Sequence, residues 1–202
     1  MNWWHRAHTT PLTAAVLTVT MLLVPLLAGS SVPIPSLLAG ASATLPVPLV
    51  LPAVPAALTL YALNRAPPVY DTTAVRPVAQ YRAATLAATG LLATALGLAA
   101  AYATDTAAPL AAARNLLGYL GTGLLVQYLA GHLYGPLAIA LVPVLCALVG
   151  LGPGGRPYPW TWPLHPANSP PAAAASLFLF TVGIAATTLL APRRRQFPTT
   201  SA

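Results

Sequence analysis

From Ala83 to Ala191 the sequence carries only three charged side chains, Asp105, Arg114 and Arg156, in stretches otherwise dominated by alanine and leucine. Such a run cannot be hidden inside one water-soluble core, because a folded domain of this size still needs a polar shell. Over the whole chain of 202 residues the hydrophobic share is 57%, the charged share 5% and the mean hydropathy +0.72. Lipid is the solvent these side chains require. The expected fold class is an all-α integral membrane protein.

A spanning helix needs about 20 apolar residues, and six segments offer them: approximately 12–28, 46–63, 83–103, 112–131, 136–151 and 172–191. The expectation is a single transmembrane domain, a bundle of six helices. Prolines interrupt several of these segments: Pro25 in the first, Pro46, Pro48, Pro52 and Pro55 in the second, Pro136 and Pro143 in the fifth. Each removes a backbone donor and favours a kink. Prolines in the second span of each three-helix half are also what an inverted-repeat transporter leaves in its sequence.

The chain has nine arginines, no lysine and two acids, for a formal charge of +7. The arginines are too scattered to track a nucleic-acid backbone, so they read as topology signals. With a cytoplasmic N-terminus, Arg6, Arg65, Arg76, Arg82 and Arg193 to Arg195 lie inside, and Arg114 and Arg156 outside. This places both termini in the cytoplasm of a multi-pass plasma-membrane protein, with Trp3 and Trp4 at headgroup level. A second reading of the start stays open: a basic lead, an apolar run and Ala-Gly-Ser at 28–30 also fit a cleaved signal peptide, which leaves five spans. Residues 64–82 form the long inside loop, where Asp71 to Thr73 suit the cap of a short surface helix. Residues 29–45, uncharged and punctuated by Pro33 and Pro35, form an outside loop.

Chemistry is sparse. The glycines of GLGPGGR at 150–156 lack the lysine and hydroxyl of a phosphate-binding loop. His5, His8, His132 and His165 are dispersed, so no metal site is expected. Two aspartates and no glutamate leave little for acid–base catalysis, and no enzyme is expected. Both aspartates fall in loops, which argues against an ion-coupled carrier, since such carriers place ionisable groups at mid-membrane. The interior polar groups are Thr85, Thr89, Thr94, Thr122 and Gln127. Threonines in apolar helices bond their own backbone or, alternatively, line a pore.

The fourth segment is the most informative. Helical spacing from Arg114 brings Gly118, Gly121, Leu125, Tyr128 and His132 to one face. That face points into protein, either as a close helix crossing over the glycines or as a substrate path, and Arg114 is within reach of Asp105 across the outer turn. Equally distinctive is RPYPWTWPLHPANSPP, residues 156–171, with six prolines, two tryptophans and a tyrosine in sixteen residues. Its aromatics suit the membrane interface and its prolines forbid a regular span. It reads as an anchored outer loop or as a re-entrant segment between helices five and six. Re-entry requires protein around it, because irregular backbone is not tolerated against hydrocarbon.

The strings TAVRPVAQYRAA at 73–84, ARNLLGYLGTGLL at 113–125 and WTWPLHP at 160–166 resemble a group of small actinobacterial membrane proteins, themselves similar to the membrane subunits of ABC-2 type transporters. The resemblance implies a permease-like subunit of an ABC exporter working by alternating access. It implies membrane lipid, a second permease subunit in a homo- or heterodimer and a separate ATP-binding chain as partners, with no cofactor on this chain and ATP on the partner. It further implies that residues 3–8 and the loop residues Arg65, Asp71, Arg76 and Arg82 contact the ATPase, and that Trp160, Trp162 and His165 form an outer gate. The inside loop is short for a coupling helix, and Asp71 is its only acid. A non-transporting accessory or immunity protein and an ion-coupled inverted-repeat carrier are the alternatives.

Overall fold

The computed structural model describes residues 10–35, 42–65, 78–152 and 156–190. In chain order these form α1 (Thr10–Leu26), strands β1 (Ser31–Pro35) and β2 (Ser42–Pro46), α2 (Val47–Val50), α3 (Ala53–Asn64), α4 (Val78–Thr104), α5 (Ala108–Ala130), α6 (Tyr134–Val149), a 3₁₀ turn at Trp162–Leu164 and α7 (Pro170–Ala185). Among the described residues three helical stretches are long and apolar enough to cross a membrane, Val47–Asn64, Val78–Thr104 and Pro170–Thr188. Helices α1 and α6, at 17 and 16 residues, are shorter. The molecule is a mainly helical membrane protein.

Helix α5 is the hub. It has 23 residues, and every other helix among the described residues packs against it. From Pro109 to Leu124 it is buried almost throughout, including Arg114 and Asn115. Its polar residues and three internal glycines make it too polar to qualify as a span by composition, although its length suffices. The reason is its position: a helix wrapped by its neighbours need not be compatible with lipid on any side. Helices α4 and α7 are the converse, apolar and mostly exposed. The glycines set the spacing around the hub. A Cβ on Gly121 would enter the backbone of Leu179 and Phe180 in α7, and one on Gly183 would reach the Gly121 carbonyl at 2.8 Å. Side chains at these positions would push α5 and α7 apart.

The structure corrects the all-α expectation at residues 29–45. Within that segment and just beyond it, β1 and β2 pair antiparallel, with Val32 opposite Leu45 and Ile34 opposite Ala43. Proline normally demotes a strand because it cannot donate to a ladder. In a two-stranded ribbon each strand is an edge and has donors to spare, so Pro33, Pro35 and Pro46 are accommodated. The second expected span does not start as helix at Pro46 but as the end of β2, and it breaks again at Leu51–Pro52 between α2 and α3. Helix α4 begins earlier than Ala83, so Arg82 sits in a helix and not in a loop. Helix α7 ends at Ala185 in a π-helical turn, Ala186–Leu190, where the Thr187 and Thr188 hydroxyls donate to the carbonyls of Gly183 and Ile184.

Candidate functional site

At one end of the hub, three side chains from two successive turns, Arg114, Asn115 and Tyr119, meet two proline-rich segments. Prolines leave carbonyls without the N–H that a helix or sheet would supply. Arg114, only 7% exposed, donates from Nη1 to the Pro166 carbonyl at 2.7 Å and from Nη2 to those of His165 at 2.8 Å and Trp162 at 3.2 Å. Asn115 completes the set. Its Nδ2 donates to Pro163 O at 3.0 Å and Leu49 O at 3.3 Å, while its Oδ1 accepts from Arg114. The Tyr119 hydroxyl also donates to Leu49 O, at 2.9 Å. Leu49 lies in the last turn of α2, just before the break at Pro52, where helix carbonyls lack intrahelical partners. The hub thus supplies as side-chain donors what the prolines remove from the backbone.

This geometry overturns the expected pairing of Arg114 with Asp105, because the guanidinium partners are carbonyl dipoles and the Asn115 amide. A planar fork suits several acceptors at fixed angles. Residues 156–169 are therefore folded onto protein. The segment also bonds itself: Tyr158 N–H donates to Gly150 O at 3.0 Å and the Thr161 hydroxyl to Tyr158 O at 2.7 Å. The His165 ring lies 3.2 Å from Tyr158 O.

The three residues grouped as an outer gate separate. Trp162 is buried, edge-on to Tyr119 with ring centroids 5.1 Å apart, and its ring covers Gly118, where a Cβ would come within 2.5 Å of it. Trp160 is 53% exposed. His165 is half-buried and is tied to the hub through its carbonyl.

The stripe from Arg114 to His132 divides too. Arg114 and Gly118 face the 156–169 segment, Gly121 faces α7, and Tyr128 is half-buried. His132 leaves the stripe altogether, because the helix ends at Ala130 and Gly131 takes a φ of +111° that an L residue resists.

At the other end of the hub a second polar cluster ties three helices together. Asn64 Nδ2 donates to Gln127 Oε1 and to the His132 carbonyl, both at 3.1 Å, and Arg82 Nη2 donates to Asn64 Oδ1 at 2.6 Å. Arg82 is half-buried and Arg65, the cap of α3, is exposed. Asp71, Arg76 and residues 3–8 lie outside the described residues. Asn64, Asn115 and Tyr119 were not singled out in the sequence. Asn115 next to Arg114 inside an apolar helix was the available signal, and Tyr119 follows it at i+4.

The threonines take the backbone-bonding option. Thr59, Thr85, Thr89, Thr94 and Thr122 each donate to the carbonyl four residues earlier, at 2.7 to 2.9 Å. Among the described residues no three His, Cys, Asp or Glu side chains gather as a metal ion requires.

Fold and site together define a helical membrane protein built around one enveloped helix with a polar cluster at each end. Comparison with protein-family models, with curated proteins and with solved structures finds no match.

Proposed function

We propose that the chain is a permease-like transmembrane subunit of an ABC exporter, working in pairs and driven by a separate ATPase chain. In this reading α1, α5, α6 and the three longer apolar stretches make six spans; α1 with 17 residues reaches the lower limit of about 17 for a crossing and α6 with 16 falls one short of it. Both termini are cytoplasmic, as the arginine distribution favours. The observation that carries the proposal is the hub itself. About 20 Å of continuous helix separates Arg114 from Gln127 at 1.5 Å per residue, and each end is fastened to the segments of its own side. A displacement applied by an ATPase at Arg65 and Arg82 is passed along a rigid rod to the Trp162 segment. The cargo passes between two subunits and is hydrophobic or amphiphilic, in keeping with the scarcity of charge.

The test is to look for an ATPase encoded beside this chain and to co-express the two. Co-purification of the two, with ATP hydrolysis that depends on the pair and falls in Arg82→Gln, is the expected result. A separate ATPase that neither binds this chain nor changes its turnover sinks the exporter reading.

A second reading has its own support. With the threonine hydroxyls named above turned to their own backbone, the helices offer few polar groups to a substrate, which suits a non-transporting accessory or immunity protein. Such a protein is expected to bind its partner without altering ATP turnover.

A further inference from the structure

Helices α1 and α4 do not close on one another along their whole contact. A cavity of about 290 Å³ runs between them, floored by Thr13 and Leu17 of α1 and walled by Ala84, Ala88 and Leu92 of α4. Thr13 and Leu17 are buried, whereas Ala84, Ala88 and Leu92 are exposed, so the groove opens sideways from the bundle. In a helix of the membrane-crossing class, sideways is toward lipid.

Half of its lining residues are alanine or leucine, and three of its hydroxyls bond their own helices. The Thr13 hydroxyl donates to Thr10 O at 2.9 Å, Thr85 to Tyr81 O at 2.8 Å and Thr89 to Thr85 O at 2.9 Å. An ordered water needs two to four polar partners, and apolar cavities stay dry. Water is therefore a poor occupant and hydrocarbon a good one. Dimensions agree. On α4 the lining runs from Tyr81 to Leu92, about 16 Å at 1.5 Å per residue, close to one leaflet of a hydrocarbon core about 30 Å thick. The groove starts at the helix ends, where Arg82 is the neighbour of Tyr81 and reaches Asn64, with Arg65 next in the chain. Cationic charge at the mouth favours an anionic headgroup.

We propose that the groove between α1 and α4 holds one acyl chain of an anionic phospholipid from the leaflet at the Arg82 end, with the headgroup drawn toward Arg82 and Arg65. The chain lies on Leu17 and against Ala84 and Ala88, whose small side chains leave the space for it. This site requires no ATPase and is independent of the exporter reading.

The experiment uses the full chain, equilibrated in mild detergent with equal parts of phosphatidylglycerol and phosphatidylethanolamine, and counts retained lipid by native mass spectrometry. Wild type is expected to keep one phosphatidylglycerol per chain. Ala14 of α1 also lines the groove, and Ala88→Phe and Ala14→Phe, which fill it from its two helices, are expected to lower retention about tenfold or more, because each acyl methylene expelled from an apolar site weakens binding several-fold. Leu98→Phe, on the exposed side of α4 beyond the groove, is expected to retain lipid as wild type does. Arg82→Gln is expected to hold lipid but lose the preference for phosphatidylglycerol. Wild type that retains no lipid, or groove-filling variants that retain as much as wild type, overturn the site. The wild-type count and the two independent fillings keep the outcome readable if one variant does not fold.

Discussion

The two ends of α5 solve different problems with similar residues. At the Arg114 end the acceptors, apart from Asn115 Oδ1, are backbone carbonyls of proline-rich segments, with Trp162 and Pro163 buried, His165 and Leu49 half-buried and Pro166 exposed, and the donors Arg114, Asn115 and Tyr119 are buried. At the Gln127 end the acceptors include side chains, Asn64 Oδ1 and Gln127 Oε1, in partly exposed surroundings. A carbonyl in a proline-rich segment has few other donors within reach, whereas an amide near the surface finds water. The Arg114 end is therefore built to stay shut and the Gln127 end to rearrange at low cost.

The largest expected effect follows from removing Arg114. Arg114→Met keeps most of the volume but leaves three carbonyls without their donor, that of Trp162 buried and those of His165 and Pro166 partly exposed, and a buried unsatisfied group costs about 1–3 kcal/mol. Thermal unfolding in detergent should show a loss of about 3 kcal/mol, with the 156–169 segment becoming sensitive to protease. Arg114→Lys retains the charge and one or two bonds and should fall between the variant and wild type, because an ammonium cannot reproduce the planar fork. An Arg114→Met protein as stable as wild type would remove the contrast between the ends.

Filling Gly118 is the next step down. In Gly118→Leu the new side chain occupies the site of the Trp162 ring. Overpacking of this kind costs about 1–3 kcal/mol, and Trp162 should move outward, giving a red shift and stronger acrylamide quenching of tryptophan emission. Trp160, already half exposed, supplies the background together with Trp3 and Trp4. Unchanged emission would mean that Trp162 does not depend on the hub for its burial.

How much of this was legible in the sequence differs by region for physical reasons. The long apolar runs announced helices, and their centres agree with the expected segments, because periodicity is not needed when a helix is apolar on all sides. The β1–β2 ribbon was hidden by its prolines, which argue against strands wherever both edges are used. Arg114 drew notice as a charge inside an apolar run. Its partners were not legible, since carbonyl acceptors carry no residue signature and the segment that supplies them lies 48 to 52 residues away. Gly118 and Gly121 were read as a close helix crossing or as part of a substrate path, and that one admits Trp162 and the other α7 depends on which neighbour arrives first. His132 was lost from the stripe because the helix stops at Gly131, a glycine read as part of the span rather than as its end.

The smallest single effect is expected at Asn64, and it tests whether the ends communicate. Asn64→Ala removes three hydrogen bonds, yet bonds between helices in membrane proteins are worth about 0.6 kcal/mol on average, and water can replace those near the surface. A loss of about 1 kcal/mol in thermal unfolding is expected. The informative variant is the double one with Arg114→Met. Asn64 bonds Gln127, which lies about 20 Å from Arg114 along α5, and changes more than about 10 Å apart with no shared partner normally add to within about 0.5 kcal/mol. If α5 acts as a rigid rod that passes displacement from one end to the other, loosening both ends should deviate from additivity by more than that margin. Strict additivity would leave two independent clusters on one helix, and the hub would be a scaffold without a transmitting role.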